Sequence, residues 1–186
     1  MCLFWIHGFE GASIDLLCRE TKMPRASLYQ RYGGKEGLFL ASLDHYARTR
    51  LTPLVAALGP AGTLEEDLAR FFDAVVNLAT EADAARGCLI SCVLSDAAGT
   101  NCRFRAELAR RFSALEGHLA ARIRAAGPKE RPDATDPDVH AMLLASVARG
   151  LMLRARSGTP RAALSQVGLA AAGLRLAPAT CCDDVT

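Results

Sequence analysis

With 186 residues, 51% of them hydrophobic, the chain can bury a substantial core yet stays near the upper size of one ordinary domain, so one compact unit with a small attached module is expected. A formal net charge of +2 excludes a protein that coats nucleic acid or membrane by bulk charge, and any contact with phosphate must be local. No apolar run reaches the roughly 18 residues a membrane helix needs, no secretory signal opens the chain, and the seven cysteines are odd in number and irregular in spacing, which points to a soluble cytoplasmic protein with reduced thiols and no membrane partner.

The pattern is helical almost throughout: Ala, Leu, Arg and Glu dominate, and alternating runs of Val, Ile, Thr and aromatics are missing from the sequence. Nine helices are predicted, at 2–7, 13–20, 24–32, 35–58, 64–84, 87–98, 102–126, 137–157 and 160–176. The first is under two turns long and must pack Leu3, Phe4 and Ile6 against the next two. Ser13 caps the second, whose Ile14, Leu17 and Cys18 share a face, and a turn over Thr21 to Pro24 leads into the third. There Leu28 and Tyr32 face inward and Arg25, Ser27, Gln30 and Arg31 face out. Helix, short turn and second helix with a polar outer face form a helix-turn-helix, whose second helix can enter the major groove of DNA.

Further along, Thr63 and Glu66 make a capping box, Asn101 caps the long seventh helix, and Asp136-Pro137 and Thr159-Pro160 each place a capping oxygen before a proline suited to a first helical turn. The stretch Gly127 to Thr135 is expected as a polar loop and Ala177 to Thr186 as a frayed tail. Phe72, Val76, Leu89, Val93, Phe112, Leu115 and Met142 supply large apolar side chains at helical spacing, which can line a ligand cavity between helices or simply fill a packed core. The eighth helix carries a stripe that includes Leu143, Val147, Gly150 and Leu151, and the ninth, with Val167 and Ala171, is rich in small residues that allow close approach of a partner helix. Cys88 and Cys92 lie one turn apart, with Cys102 ten residues on, a spacing compatible with a thiol sensor or soft-metal site and equally with small buried core residues. No phosphate loop, dinucleotide fingerprint or nucleophile elbow occurs, and His7, His45, His118 and His140 have no sequence partner that suggests a triad, so no enzyme, cofactor or resident metal is expected.

The segment from Gly8 to Tyr46 resembles the DNA-binding domain of TetR-family transcriptional regulators. It carries Gly8-Phe9, Ser13-Ile14, Leu28-Tyr29, Tyr32 and Lys35-Glu36 with Leu38 at the spacing of that family, and "RGCLISCVL" is similar to a Gly-Cys-Leu segment in one of its branches. The resemblance implies a three-helix DNA-binding domain at 1–47, a helical ligand-binding and dimerisation domain at 48–176, and a flexible tail at 177–186. It further implies that Ser13, Tyr29 and Lys35 contact phosphate, while Arg25, Ser27, Gln30 and Arg31 read bases, Arg to guanine and Gln to adenine being the bidentate pairings of the major groove. The last two helices would pair with those of a second copy through Leu143, Val147, Gly150, Leu151, Val167 and Ala171.

Three departures from the family pattern bear on this reading. The first helix begins about ten residues late, so an upstream extension is expected to strengthen both DNA binding and stability; Lys22 stands where the turn usually has glycine, which asks a non-glycine to turn left-handed; and Pro24 removes a capping hydroxyl worth about 1 kcal/mol. The expectation is an all-α, homodimeric, ligand-responsive repressor with a double-stranded DNA operator and an apolar small-molecule inducer as partners. The alternative is a dimeric small-molecule-binding protein of the same fold whose DNA binding is impaired by its short first helix.

Overall fold

The computed structural model describes residues 1–81, 86–127, 130 and 136–174, and among them every regular element is helical. None of these helices is long and apolar enough to cross a membrane. Parts of the predicted elements, at 82–84, 175–176, most of the 127–135 loop and the 177–186 tail, lie outside the described residues.

The N-terminal head consists of α1 (Cys2–Gly11), α2 (Ile14–Thr21), α3 (Arg25–Tyr32) and α4 (Lys35–Tyr46). Gly8 interrupts α1 at φ 68°, ψ −179°, so the regular part ends at His7, as expected, and a final turn brings Phe9 back onto the core. The inward face of α1 differs from the expectation: Phe4, Trp5 and Phe9 are buried, whereas Ile6 is 66% exposed. Ser13 Oγ accepts a hydrogen bond from Leu16 N at 3.1 Å and caps α2. Lys22 ends that helix in the left-handed conformation, φ 54°, with its N–H turned back to the carbonyls of Arg19 and Cys18. Pro24 starts α3 without a side-chain cap, and Gly33 at φ 74° ends it. Helix α4 then crosses so close that a Cβ on Gly37 would overlap the Tyr32 carbonyl. Only glycine fits that crossing.

The single helix predicted at 35–58 is three segments in one rod: α4, a π-helical turn (Ala47–Leu51) and α5 (Thr52–Ala56). The body adds α6 (Leu64–Thr80), a second π-helical turn (Ile90–Leu94) running into α7 (Ser95–Ala97), α8 (Cys102–Ala125), α9 (Pro137–Arg156) and α10 (Arg161–Ala172). The caps read from the sequence are present at α6, where Thr63 and Glu66 form the complete box, at α8, where Asn101 accepts from Arg103 N and Phe104 N, and at α9, where Asp136 accepts from Asp138 N. Thr159 does not cap α10; Pro160 takes the N-cap position and the helix starts one residue later.

Two features join these parts. Phe4, Phe9 and Phe39 of the head meet Phe104 of α8 in one aromatic cluster, with ring centroids 4.7 Å (Phe9–Phe104) to 5.3 Å (Phe39–Phe104) apart along the shared edges. Such pairs add about 0.5–1.5 kcal/mol each beyond the area they bury. In the body, the fully buried Asp67 on α6 accepts from Arg122 Nε of α8 at 2.5 Å, pairs with Arg70, and accepts from the backbone N–H of Ala61 and Gly62. The carboxylate is therefore compensated on every side, and it ties the turn before α6 to α8.

Candidate nucleic-acid interface and ligand cavity

Helix α3 is held by one deep anchor, Leu28, and leaves Arg25, Ser27, Gln30 and Arg31 exposed on its outer face. Arg25 Nη1 lies 3.3 Å from Asp15 Oδ1 of α2, both side chains mostly in solvent, and a pair so exposed contributes about 0–1 kcal/mol and releases easily to another anion. The Arg31 guanidinium sits 5.5 Å from the ring centre of the half-buried Tyr32. Tyr29 is 46% exposed, and its ring edge is placed by α4's start: a Cβ on Gly34 would lie 3.4 Å from Tyr29 Cε1. Lys35 opens α4 with its Nζ donating to the Glu10 carbonyl at 3.1 Å and 4.4 Å from the centre of the Phe9 ring. Its charge is thus fixed at the junction of α1 and α4 rather than swinging free. Ser13, exposed, spends its oxygen on the α2 cap. The positively charged and hydroxyl groups named from the sequence accordingly gather on α3 and on the starts of α2 and α4. Asp15 and the Glu10 carbonyl, which hold two of them, have no signature in a linear pattern.

The body holds a cavity of about 620 Å³ that opens to the surface, within the range usual for small-molecule sites. Its walls come from the π turn and α5 at the far end of the rod, and from α6, the second π turn, α8 and α9. Of the seven residues expected to line it, Phe112 and Leu115 do. Phe72, Val76, Leu89 and Val93 are buried but turn away, and their neighbours Phe71, Val75, Cys88 and Ile90 form the wall instead. One residue along a helix rotates the side chain by about 100°, enough to exchange wall for core. Met142 is no part of the cavity; it stands 57% exposed on the outside of α9.

One wall residue reaches back to the head. Arg111 of α8 donates to the Leu43 carbonyl at 3.3 Å, to Asp44 Oδ1 at 2.6 Å and to Glu107 Oε1 at 2.6 Å, bridging α4 and α8. Burial works against the charge of Glu107, but hydrogen bonds from Arg110 and the charge of Arg111 outweigh it and hold the carboxyl below its ordinary value. On the opposite side, burial first and then the neighbouring Cys88 push the Tyr46 hydroxyl far above its usual range, keeping it neutral.

The outer faces of α9 and α10 expose Val139, Met142, Leu153, Val167 and Leu169, an unusual amount of apolar surface for two helices. Among the residues expected at a partner, Val167 is exposed and Leu143, Val147 and Gly150 are partly so, with open space around Gly150. Leu151 and Ala171 are buried within this chain, 1% and 6% exposed, and cannot reach a second copy. The three cysteines considered as a sensor do not assemble: Cys88 is buried, Cys102 exposed, Cys92 half-buried with its thiol pushed up by burial, and no group of three or more His, Cys, Asp or Glu among the described residues is placed to hold a metal.

Residues 1–42 match the family described as bacterial regulatory proteins, tetR family, and residues 65–168 the tetracyclin repressor-like C-terminal domain. The chain is 31% identical over 183 residues to the HTH-type transcriptional repressor ComR of Escherichia coli (strain K12), covering 96% of this chain and 85% of that protein. Among solved structures it is similar to the TetR-family regulator CifR, in a cysteine-substituted form bound to a 26-base-pair operator duplex, at 28% identity and a TM-score of 0.77 over 91% of this chain and 90% of that one. The reduced form of Escherichia coli NemR, at 19% identity, shares the fold with a TM-score of 0.79 over 95% and 93% of the two chains. With both its head and its body matched, the chain belongs to the TetR family of bacterial regulatory proteins and is a sequence-specific DNA-binding transcriptional regulator that acts as a dimer.

Proposed function

We propose that this regulator is a repressor released from its operator by a small molecule bound in the body. In this reading each protomer of the homodimer lays α3 in a major groove, Tyr29, Lys35 and the Ser13 end of α2 meet phosphates, and Arg25, Ser27, Gln30 and Arg31 meet base edges. The paired α9 and α10 faces set the distance between the two heads. The observation that carries the proposal is the rod from Lys35 to Ala56: it starts at Lys35, the proposed phosphate contact, its far end walls the cavity, and Arg111 clamps its middle from the cavity side. A ligand that binds the DNA-incompetent arrangement better by about 1–3 kcal/mol is enough to act as a switch. The description of ComR as a repressor and the operator duplex bound to CifR support the same direction.

A gel-shift with the DNA upstream of the protein's own gene tests it. Specific retardation, abolished by excess unlabelled upstream DNA and not by unrelated DNA, is the expected result. Retardation equal on both DNAs would instead favour the ligand-binding protein with impaired DNA recognition.

A further inference from the structure

We infer that the ligand of the cavity is an amphipathic monoanion, an apolar body ending in one carboxylate, read by Arg48. The inference rests on the proposed role of the cavity and adds to it the chemical class of the occupant. The floor is apolar, formed by Leu54, Phe71, Val75, Ile90, Leu115 and Met152. The charged side chains of the lining are all of one sign: Arg48, Arg110, Arg111 and Arg149, with no aspartate or glutamate among the described lining residues.

Three of these arginines are already matched from behind the wall. Arg110 pairs with Glu107 at 2.7 Å, Arg111 with Glu107 and Asp44 at 2.6 Å each, and Arg149 with Glu116 at 2.9 Å while its guanidinium lies 3.7 Å from the centre of the Phe112 ring. Four guanidinium groups thus face three carboxylates. Arg48, on the π turn of the rod, has no carboxylate or carbonyl partner among the described residues.

That imbalance decides between ligand classes. A neutral apolar molecule offers the Arg48 guanidinium no partner, and an amine would meet the one arginine charge that no carboxylate offsets. A carboxylate gains a charge-assisted, bidentate hydrogen bond and leaves the site balanced, which a doubly charged phosphate would overshoot. The position of Arg48 gives the anion a second consequence, because the residue it would hold lies in the same rod that starts at Lys35.

Three probes with one tail, octanoate, 1-octanol and octylamine, separate the possibilities when titrated calorimetrically into the full-length dimer at fixed ionic strength. Octanoate should bind at least about tenfold tighter than octanol, with octylamine weakest. The exposed substitution Arg48→Gln should bring octanoate down to the affinity of octanol and leave octanol unchanged. Octanol binding as tightly as octanoate, or Arg48→Gln keeping wild-type affinity for octanoate, would overturn the assignment while the cavity reading stands. Failure of all three probes to bind would overturn both.

Discussion

Lys35 and Tyr29, proposed to meet phosphate, also have neighbours within the head. Lys35 closes the junction of α1 and α4 through the Glu10 carbonyl, so its charge is oriented before DNA arrives, and the Tyr29 ring passes beside Gly34. Side chains held in place lose less freedom on binding and act without regard to base sequence. Lys35→Ala and Tyr29→Phe should therefore weaken binding to all DNA, Lys35→Ala also lowering the salt slope by about one counterion. Gln30→Ala or Arg31→Ala should cost about 1–3 kcal/mol on the correct site alone. Fluorescence anisotropy against operator and scrambled duplexes over a salt series measures both, and an unchanged salt slope for Lys35→Ala would show that this lysine does not meet phosphate. The left-handed Lys22 was legible through the family resemblance, which places a glycine at that turn, and Tyr29 and Lys35 were named from the same resemblance. The tether of Lys35 was not legible, since a backbone carbonyl can be recruited from any residue type.

Helices were read well where side chains cap them and poorly where a rotation decides. Thr63, Asn101 and Asp136 announce their helices by chemistry confined to one turn, whereas the choice between Phe71 and Phe72 as cavity wall depends on what stands opposite. The two π turns have no sequence signature, because a single residue of extra winding leaves the apolar pattern almost intact. The contact between α4 and α8 provides a test at this scale. Glu107 is held below its ordinary value near 4.5, so its contribution is fully present above that value and is lost as pH falls through the lower, folded value. Glu107→Gln should be less stable by about 1.5–3 kcal/mol at neutral pH and should lose less than wild type on acidification. Denaturant titrations at a series of pH values check this, and parallel acid losses in the two proteins would remove Glu107 from the account.

At the level of the whole molecule, the all-helical architecture was legible from composition and punctuation and its division into head and body from the family resemblance, while the outward faces of the last two helices were less so. The stripe on α9 was seen, but which of its edges faces out depends on where the rest of the body lies, and so Leu151 and Ala171 were assigned to a partner although they fill this chain's own core. The outward residues are the better probes. Met142→Glu combined with Leu169→Glu should convert the dimer to monomer with helical content retained, because each charge is placed twice across a two-fold interface. Sedimentation velocity reads the outcome, and an intact dimer would place the interface elsewhere. The phenylalanine cluster shared by head and body has a consequence for how such regulators are recombined. A head exchanged with a relative's at a cut near residue 47 would arrive without Phe104, the ring that closes its core from α8, and would meet whatever side chain the recipient carries there. Transplanting DNA specificity in this scaffold therefore requires moving a distant aromatic residue together with the segment that touches the groove.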